Sequence, residues 1–561
     1  MPAAPAAPTA SSTAAARTAP RRGGAPVRRT VALAVAATLG LAGCTGGDGG
    51  AAPGAGAGGA ASPTAEAPLV RPAAVDGGVV LDVAEGGDRS VAASAALVAA
   101  SPLVVLVDAG ADVGAAAARA EELGVPLLVV AAAPAPSSGA EPSDEPSDEP
   151  SADAAEPSAD AGAEAPAGAA PEDVVAEVAR LGAEQVLAAD DAAASWAEEA
   201  LDVEVLPAAA DVEAPAPAAA GAPVLLLTDG SAGDVAPAAT ARAAGARVVA
   251  VPGGDPRADG DVVEQVAAAA PDGVVATSPL FGDAEQVRAR TAVAATGVQL
   301  PGGGQVPFPG RHMVALYGTP GSPSLGVLGE QGLEASVERA RDVAAEYEDL
   351  VGDPVVPTFE IITTVASGAP GPDGDYSNEL DADDLRPWVD AAGEAGIYVV
   401  LDLQPGRTDF LTQARAYESL LAEPHVGLAL DPEWRLEPDQ VHLEQVGRVD
   451  VEEVEETADW LADLVRRETL PPKVFLLHQF QQRMITDRGR LDTSRDELVP
   501  LVHADGHGTP GQKADTYRAL QQDAPEGMRW GWKNFYDEDT PTMTPAETMA
   551  EDPLPDFVSY Q

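Results

Sequence analysis

The chain has 561 residues and carries 33 basic against 89 acidic side chains, a formal charge of −56. Such a surface repels polyanions, which excludes nucleic acid as a partner and anionic lipid as an electrostatic one. A single cysteine leaves no intrachain disulfide and no cysteine-based zinc site, so stability rests on packing.

Arg21, Arg22, Arg28 and Arg29 precede a short apolar run, Thr30 to Gly40, and then Leu41-Ala42-Gly43-Cys44. Charge, a short apolar stretch and small residues read as a secretory signal, too short for a membrane span. The L-A-G-C ending resembles the lipobox of bacterial lipoproteins. That resemblance implies acylation (palmitate) of Cys44, which becomes the mature N-terminus, and a place on the extracytoplasmic face of the cell membrane. Arg28-Arg29 leaves the export route open. Residues 45–77 are rich in Gly, Ala and Pro and read as a disordered tether.

Between residues 78 and 300, apolar runs alternate with Ala-rich helical stretches. Strands are expected at Val79–Val83, Leu103–Asp108, Pro126–Val130, Gln185–Ala189, Val203–Leu206, Pro223–Thr228 and Arg247–Val251. Helices are expected at Ser90–Ala100, Val113–Leu123, Glu172–Leu181, Ala193–Leu201, Val235–Ala244 and Val262–Ala269. Continuous apolar strands between helices imply Rossmann-like α/β repeats around a parallel sheet. Three segments repeat one cadence, a helix ending near Gly124, Gly182 or Gly245 followed by a strand. Residues 133–170, with EPSDEPSDEPSAD, read as a disordered insert, and residues 209–222 as an Ala/Pro linker. No G-x-G-x-x-G accompanies Gly253-Gly254, so no phosphate cradle is expected. The cadence, clearest in PEDVVAEVARLGAEQVL, resembles the cell wall-binding repeat 2 family, and Gly86-Gly87-Asp88-Arg89 resembles its Gly-x-Asp-Arg signature. The resemblance implies binding of a cell-wall polysaccharide; a scaffold without ligand is the alternative.

After residue 310 the composition changes. All six histidines, all three lysines and five of six tryptophans lie there. Eight strands are expected, at His312–Tyr317, Val355–Ile361, Ile397–Leu403, Val426–Asp431, Lys473–Gln479, Leu498–Ala504, Met528–Lys533 and Phe557–Tyr560. Helices are expected at Leu333–Leu350, Asp381–Ala395, Asp409–Leu421 with Thr408 as N-cap, and Val451–Arg467 opened by an Asp450/Glu453 capping pair. The alternation over residues 310–561 fits a (β/α)8-type barrel lacking its last helix and capped instead by the N-terminal domain.

In such barrels, polar residues at strand C-terminal ends face the site. Those ends offer Tyr317, Glu360, Asp402, Asp431, Glu433, Trp434, His478, Gln479, His503, Asp505, Trp532 and Lys533. The ring of acids and tryptophans resembles the glycoside hydrolase barrels, and the region also resembles the C-terminal domain of actinobacterial lipoproteins. The first resemblance implies two carboxylates as acid and base or nucleophile; Glu360 and Glu433 are the chosen pair, the other residues binding substrate. Carboxyl groups about 5 Å apart suit a retaining enzyme and about 6.5–9.5 Å an inverting one. Plainer roles stand beside these: Asp402 and Asp431 as loop caps, and Glu360 paired with Arg311 or Lys533. No cofactor or metal is expected, although His503, Asp505 and His507 with Asp431 offer donor atoms. Serine catalysis finds no G-x-S-x-G elbow. The candidate functions are a glycoside-hydrolysing barrel near the cell wall, a non-catalytic glycan-binding lipoprotein, and a solute receptor.

Overall fold

The computed structural model describes residues 69–81, 83, 88–131, 168–217 and 221–561. Cys44, the signal segment, most of the tether, most of the acidic insert and Gly86-Gly87 lie outside them.

The N-terminal region holds two four-stranded parallel sheets. The first runs in the order Leu127–Val130, Leu103–Asp108, Gln185–Ala188, Glu204–Pro207. The second runs Arg247–Ala250, Val224–Thr228, Gly273–Ala276, Gly77–Val80. In each, the chain crosses from an inner strand to one edge and returns on the other side, the doubly wound pattern. Val104, Val105 and Leu106 are wholly buried, as strands covered on both faces require. The connecting helices begin where Asp112, Asp190, Asp259 and Asp283 accept a backbone N–H. The Val113–Leu123 and Pro171–Leu181 helices end on left-handed Gly124 and Gly182, where a side chain would be strained.

Several boundaries differ from expectation. Leu69–Pro72, assigned to the tether, is the middle strand of a three-stranded sheet. It lies between Val98–Ala100, which leaves the end of the expected Ser90–Ala100 helix, and Ala216–Pro217 in the expected linker. Gly273–Ala276 and the Ala284–Ala294 helix add to the elements expected.

The C-terminal region is a closed barrel of eight parallel strands. They are β1 (His312–Gly318), β2 (Val355–Ala366), β3 (Tyr398–Leu403), β4 (Val426–Leu430), β5 (Lys473–Gln479), β6 (Leu498–Ala504), β7 (Arg529–Asn534) and β8 (Phe557–Tyr560). Strand β1 pairs with both β2 and β8 and closes the ring. All eight fall where the sequence puts them. Helices follow β1 to β4 and β6, β7 is followed by the single turn Pro545–Thr548, and β5 reaches β6 through two 3₁₀ turns. Asp409, not Thr408, caps the fourth-strand approach, accepting from Thr412 N. Asp450 makes no side-chain cap bond, and the Glu453 carboxylate accepts from Phe410 N and Arg435 and not from the Asp450 backbone.

Alternation along each strand divides the barrel's apolar residues into two sets. Val314, Phe359, Val399, Leu428, Phe475 and Val502 face the helices. Met313, Val356, Val400, Ala429, Leu476 and Phe557 fill the lower interior together with Leu300 and Phe308 of the entering segment. Arg311 ties that segment down by donating to Pro301 O and Gly303 O. Arg290 and Arg257 of the N-terminal region bind Asp496, just before β6 begins. The N-terminal region therefore meets the barrel at the end where strands start, leaving the opposite end for the site. Among the described residues no helix is long and apolar enough to cross a membrane.

Candidate functional site at the barrel mouth

Above the apolar interior, the inward positions turn polar. Tyr317, Glu360, Asp402, His478, His503, Lys533 and Ser559 form a layer that is at most 3% exposed. The Tyr317 hydroxyl donates to Asp402 Oδ2 at 2.9 Å and accepts from Gln404 Nε2 at 3.3 Å. His478 Nδ1 lies 3.1 Å from Asp505 Oδ2, and its Nε2 lies 2.9 Å from Glu360 Oε1 and 3.7 Å from Asp402 Oδ1. His503 Nε2 meets Ser559 Oγ at 2.7 Å. The Lys533 ammonium sits 3.4 Å above the Tyr317 ring.

Over this layer lies a cavity of about 400 Å³. Tyr317, Asp431, Asp505 and Lys533 form its floor and walls, with Glu433 and Trp434 from the turn after β4. Phe480, Phe535 and His507 complete the rim.

Electrostatics separates the carboxylates. Burial, reinforced by the charge of Asp505, raises Glu433 to about 7. Burial also opposes ionisation of Asp505, but its hydrogen bond from His478 and the charges of His478 and Lys533 hold it below the usual range. Burial pushes Asp431 well up, with Asp402 and Asp505 adding to it. Burial, against the pull of His478 and with Glu360 adding to it, raises Asp402 to about 6. Burial disfavours charge on His478, yet Asp402 and Glu360 outweigh it and drive its pKa well above the ordinary value. Burial and the nearby positive charge of His478 push His503 well down.

Of the residues singled out from the sequence, Tyr317, Asp431, Glu433, Trp434, Asp505 and Lys533 come together around the cavity. Glu360, Asp402, His478 and His503 lie in the layer beneath it. Glu360 is fully buried against His478, so Glu360 and Glu433 do not share the cavity wall, and neither Arg311 nor Lys533 is its ion-pair partner. Gln479 and Trp532 point away from the interior, because each is one residue out of step with His478 and Lys533. Gln479 Oε1 accepts from Arg488, and Trp532 packs on Tyr517 and donates to Asn534. Asp402 is no loop cap: its Oδ2 serves Tyr317. Asp431 does cap, accepting from Glu433 N at 3.2 Å, while also facing the cavity. The run from Asp431 to Glu433 is a 3₁₀ turn and not extended chain. His507 stands at the rim beside Phe535, and among the described residues no metal-ligating group includes Asp431. Gln404, Phe480 and Phe535 also line the cavity; Gln404 and Phe535 lie two residues beyond Asp402 and Lys533, the same-face spacing that identifies them.

No protein-family model matches the chain, and no curated protein matches it in sequence. The barrel is TIM-like, a fold consistent with a carbohydrate-active or glycan-binding domain.

Proposed function

We propose that the barrel binds a glycan in this cavity and hydrolyses a glycosidic bond, with Glu433 as general acid and Asp505 as its ionised partner. The observation that supports this most is the presence of both carboxylates in one cavity wall in opposite environments. Protonated Glu433 donates to the leaving oxygen, while Asp505, oriented by His478, activates water or attacks the anomeric carbon. Trp434 offers an apolar face for a sugar ring. Asp505 takes the place first given to Glu360, which has no access to the cavity. The test is release of reducing ends from cell-wall and storage glycans by the wild type, Glu433→Gln and Asp505→Asn. Equal activity in all three sinks the assignment; binding without turnover by the wild type leaves the non-catalytic glycan-binding reading.

We also propose that the protein is a lipoprotein held through Cys44 on the outer face of the cell membrane, near the wall. Its support is the charged, apolar and L-A-G-C sequence order. Incorporation of labelled palmitate that persists in Cys44→Ala would refute it. For the N-terminal region a scaffold role is the better supported, since Arg89 is engaged by Asp234 at 2.6 Å and Asp229 at 3.1 Å.

A further inference from the structure

We propose that Glu360, His478 and His503 hold one divalent transition-metal ion of the zinc type inside the barrel, beneath the cavity floor, with Asp402 within reach as a fourth ligand. One donor atom from each of the three lies within 4.8 Å of the others. All four residues are completely buried. Both oxygens of Glu360, Asp402 Oδ1, His478 Nε2 and His503 Nδ1 have no hydrogen-bond partner. Leaving one such buried group unmet costs about 1–3 kcal/mol, and more when it is charged. With Glu360 Oε1 and His478 Nε2 set against each other, three remain in one layer and call for something that satisfies them together.

The contact between Glu360 and His478 points the same way. Nε2 and Oε1 stand 2.9 Å apart, an ion pair while His478 is protonated, and a neutral His478 would turn the same two atoms to an ion. Two ligands on a tetrahedral ion with bonds of about 2 Å stand roughly 3.3 Å apart, so the pair would open by about 0.4 Å to take one. The outer atoms are those of a supported site. His478 keeps Nδ1 on Asp505 and His503 keeps Nε2 on Ser559, which fixes each ring and leaves its other nitrogen for an ion. Gly531 matters here: a Cβ at that position would come 2.3 Å from His503 Nδ1. Two imidazoles with one or two carboxylates suit Zn²⁺ and its neighbours better than Ca²⁺ or Mg²⁺, which prefer all-oxygen shells. The cluster of exposed Asp373 and Glu379 with largely buried Asp375 makes a contrast, since the Asp375 oxygens already serve Ser377 N and Thr408 Oγ1.

The site is argued from the buried layer alone, but a bound ion would require a neutral His478 and would take over the positive charge that ring otherwise gives Asp505. The ion would supply positive charge among Glu360, Asp402 and Asp505, and fix the ring that orients Asp505.

The experiment is metal analysis of the purified full chain after dialysis, with melting curves in EDTA and after adding back Zn²⁺ or Mn²⁺. About one ion per chain is expected, with Tm lowered by EDTA and restored by Zn²⁺. Glu360→Gln and His503→Gln should each lower occupancy at least about tenfold, and Asp373→Asn should not. Occupancy near zero with a Tm unmoved by EDTA or Zn²⁺ overturns the proposal. So does full occupancy in both ligand variants, which places the ion elsewhere. Should those variants fail to fold, the wild-type arms alone decide.

Discussion

His478 reaches Asp505 through Nδ1 at 3.1 Å while its other nitrogen stays in the buried layer beside Glu360. One ring thus links the cavity wall to the polar floor under it. The direction in which Asp505 presents its carboxylate is set from below.

That linkage predicts graded losses. Glu433→Gln and Asp505→Asn should each lower kcat by about 10²–10⁴, the usual range for removing an acid or base. His478→Asn should lower kcat with little change in KM, since it touches Asp505 and not the cavity. Steady-state kinetics on a hydrolysed glycan, with circular dichroism to confirm folding, checks all three.

The pH profile should show Glu433 directly. Its pKa rises from 4.5 to about 7 on folding, and the acid form is the active one, so activity should fall as pH passes about 7. The same shift means the folded state binds more protons than the unfolded one between these values. Its contribution to stability is present below pH 4.5 and lost as pH rises through 7. A kcat/KM profile whose alkaline limb persists unchanged in Glu433→Gln would contradict the assignment.

Lys473 predicts the opposite slope. It is wholly buried in the barrel wall and donates to Glu423 O and Val426 O at 2.8 Å each. Burial lowers it from 10.5 to about 7. Between these values the unfolded chain holds the extra proton, so stability rises with pH, by up to about 1.4 kcal/mol per unit. Lys473→Met should remove that slope, making the substitution more costly at pH 9.5 than at pH 7. Urea unfolding at the two pH values measures it.

Trp434 and Trp532 should behave as different kinds of residue. Trp434→Ala should weaken glycan binding and leave Tm nearly unchanged. Trp532→Ala should cost about 3–5 kcal/mol of stability, as for other buried aromatics, without changing affinity in the protein that remains folded. Calorimetric binding alongside denaturant unfolding separates the two.

The barrel was legible because its strands are short apolar runs bounded by polar turns, and each run must be buried on both faces. Most strands of the N-terminal region were legible for the same reason, but their division into two sheets and the Gly273–Ala276 strand were not. Leu69–Pro72 was not, since four residues after a Pro/Gly/Ala stretch show no period, and only pairing with Val98–Ala100 and Ala216–Pro217 makes them a strand. In the site, only one member of His478-Gln479 and of Trp532-Lys533 can face inward, since the two-residue repeat sends neighbours to opposite faces. Depth was illegible as well. Nothing in the sequence tells that Glu360, two residues deeper on β2 than Ile362, is sealed under a floor while Glu433 is not.

The place of Gly77–Val80 bears on how the chain assembles. This strand completes the second sheet beside Gly273–Ala276, so it waits about 200 residues for its neighbour, a separation that slows folding. As the polypeptide is made from its N-terminus, the second sheet keeps an open edge until that early segment docks. Trimming the chain past residue 80 would therefore leave a ready surface for strands of other molecules, and self-association, more than loss of the barrel, is the failure to look for.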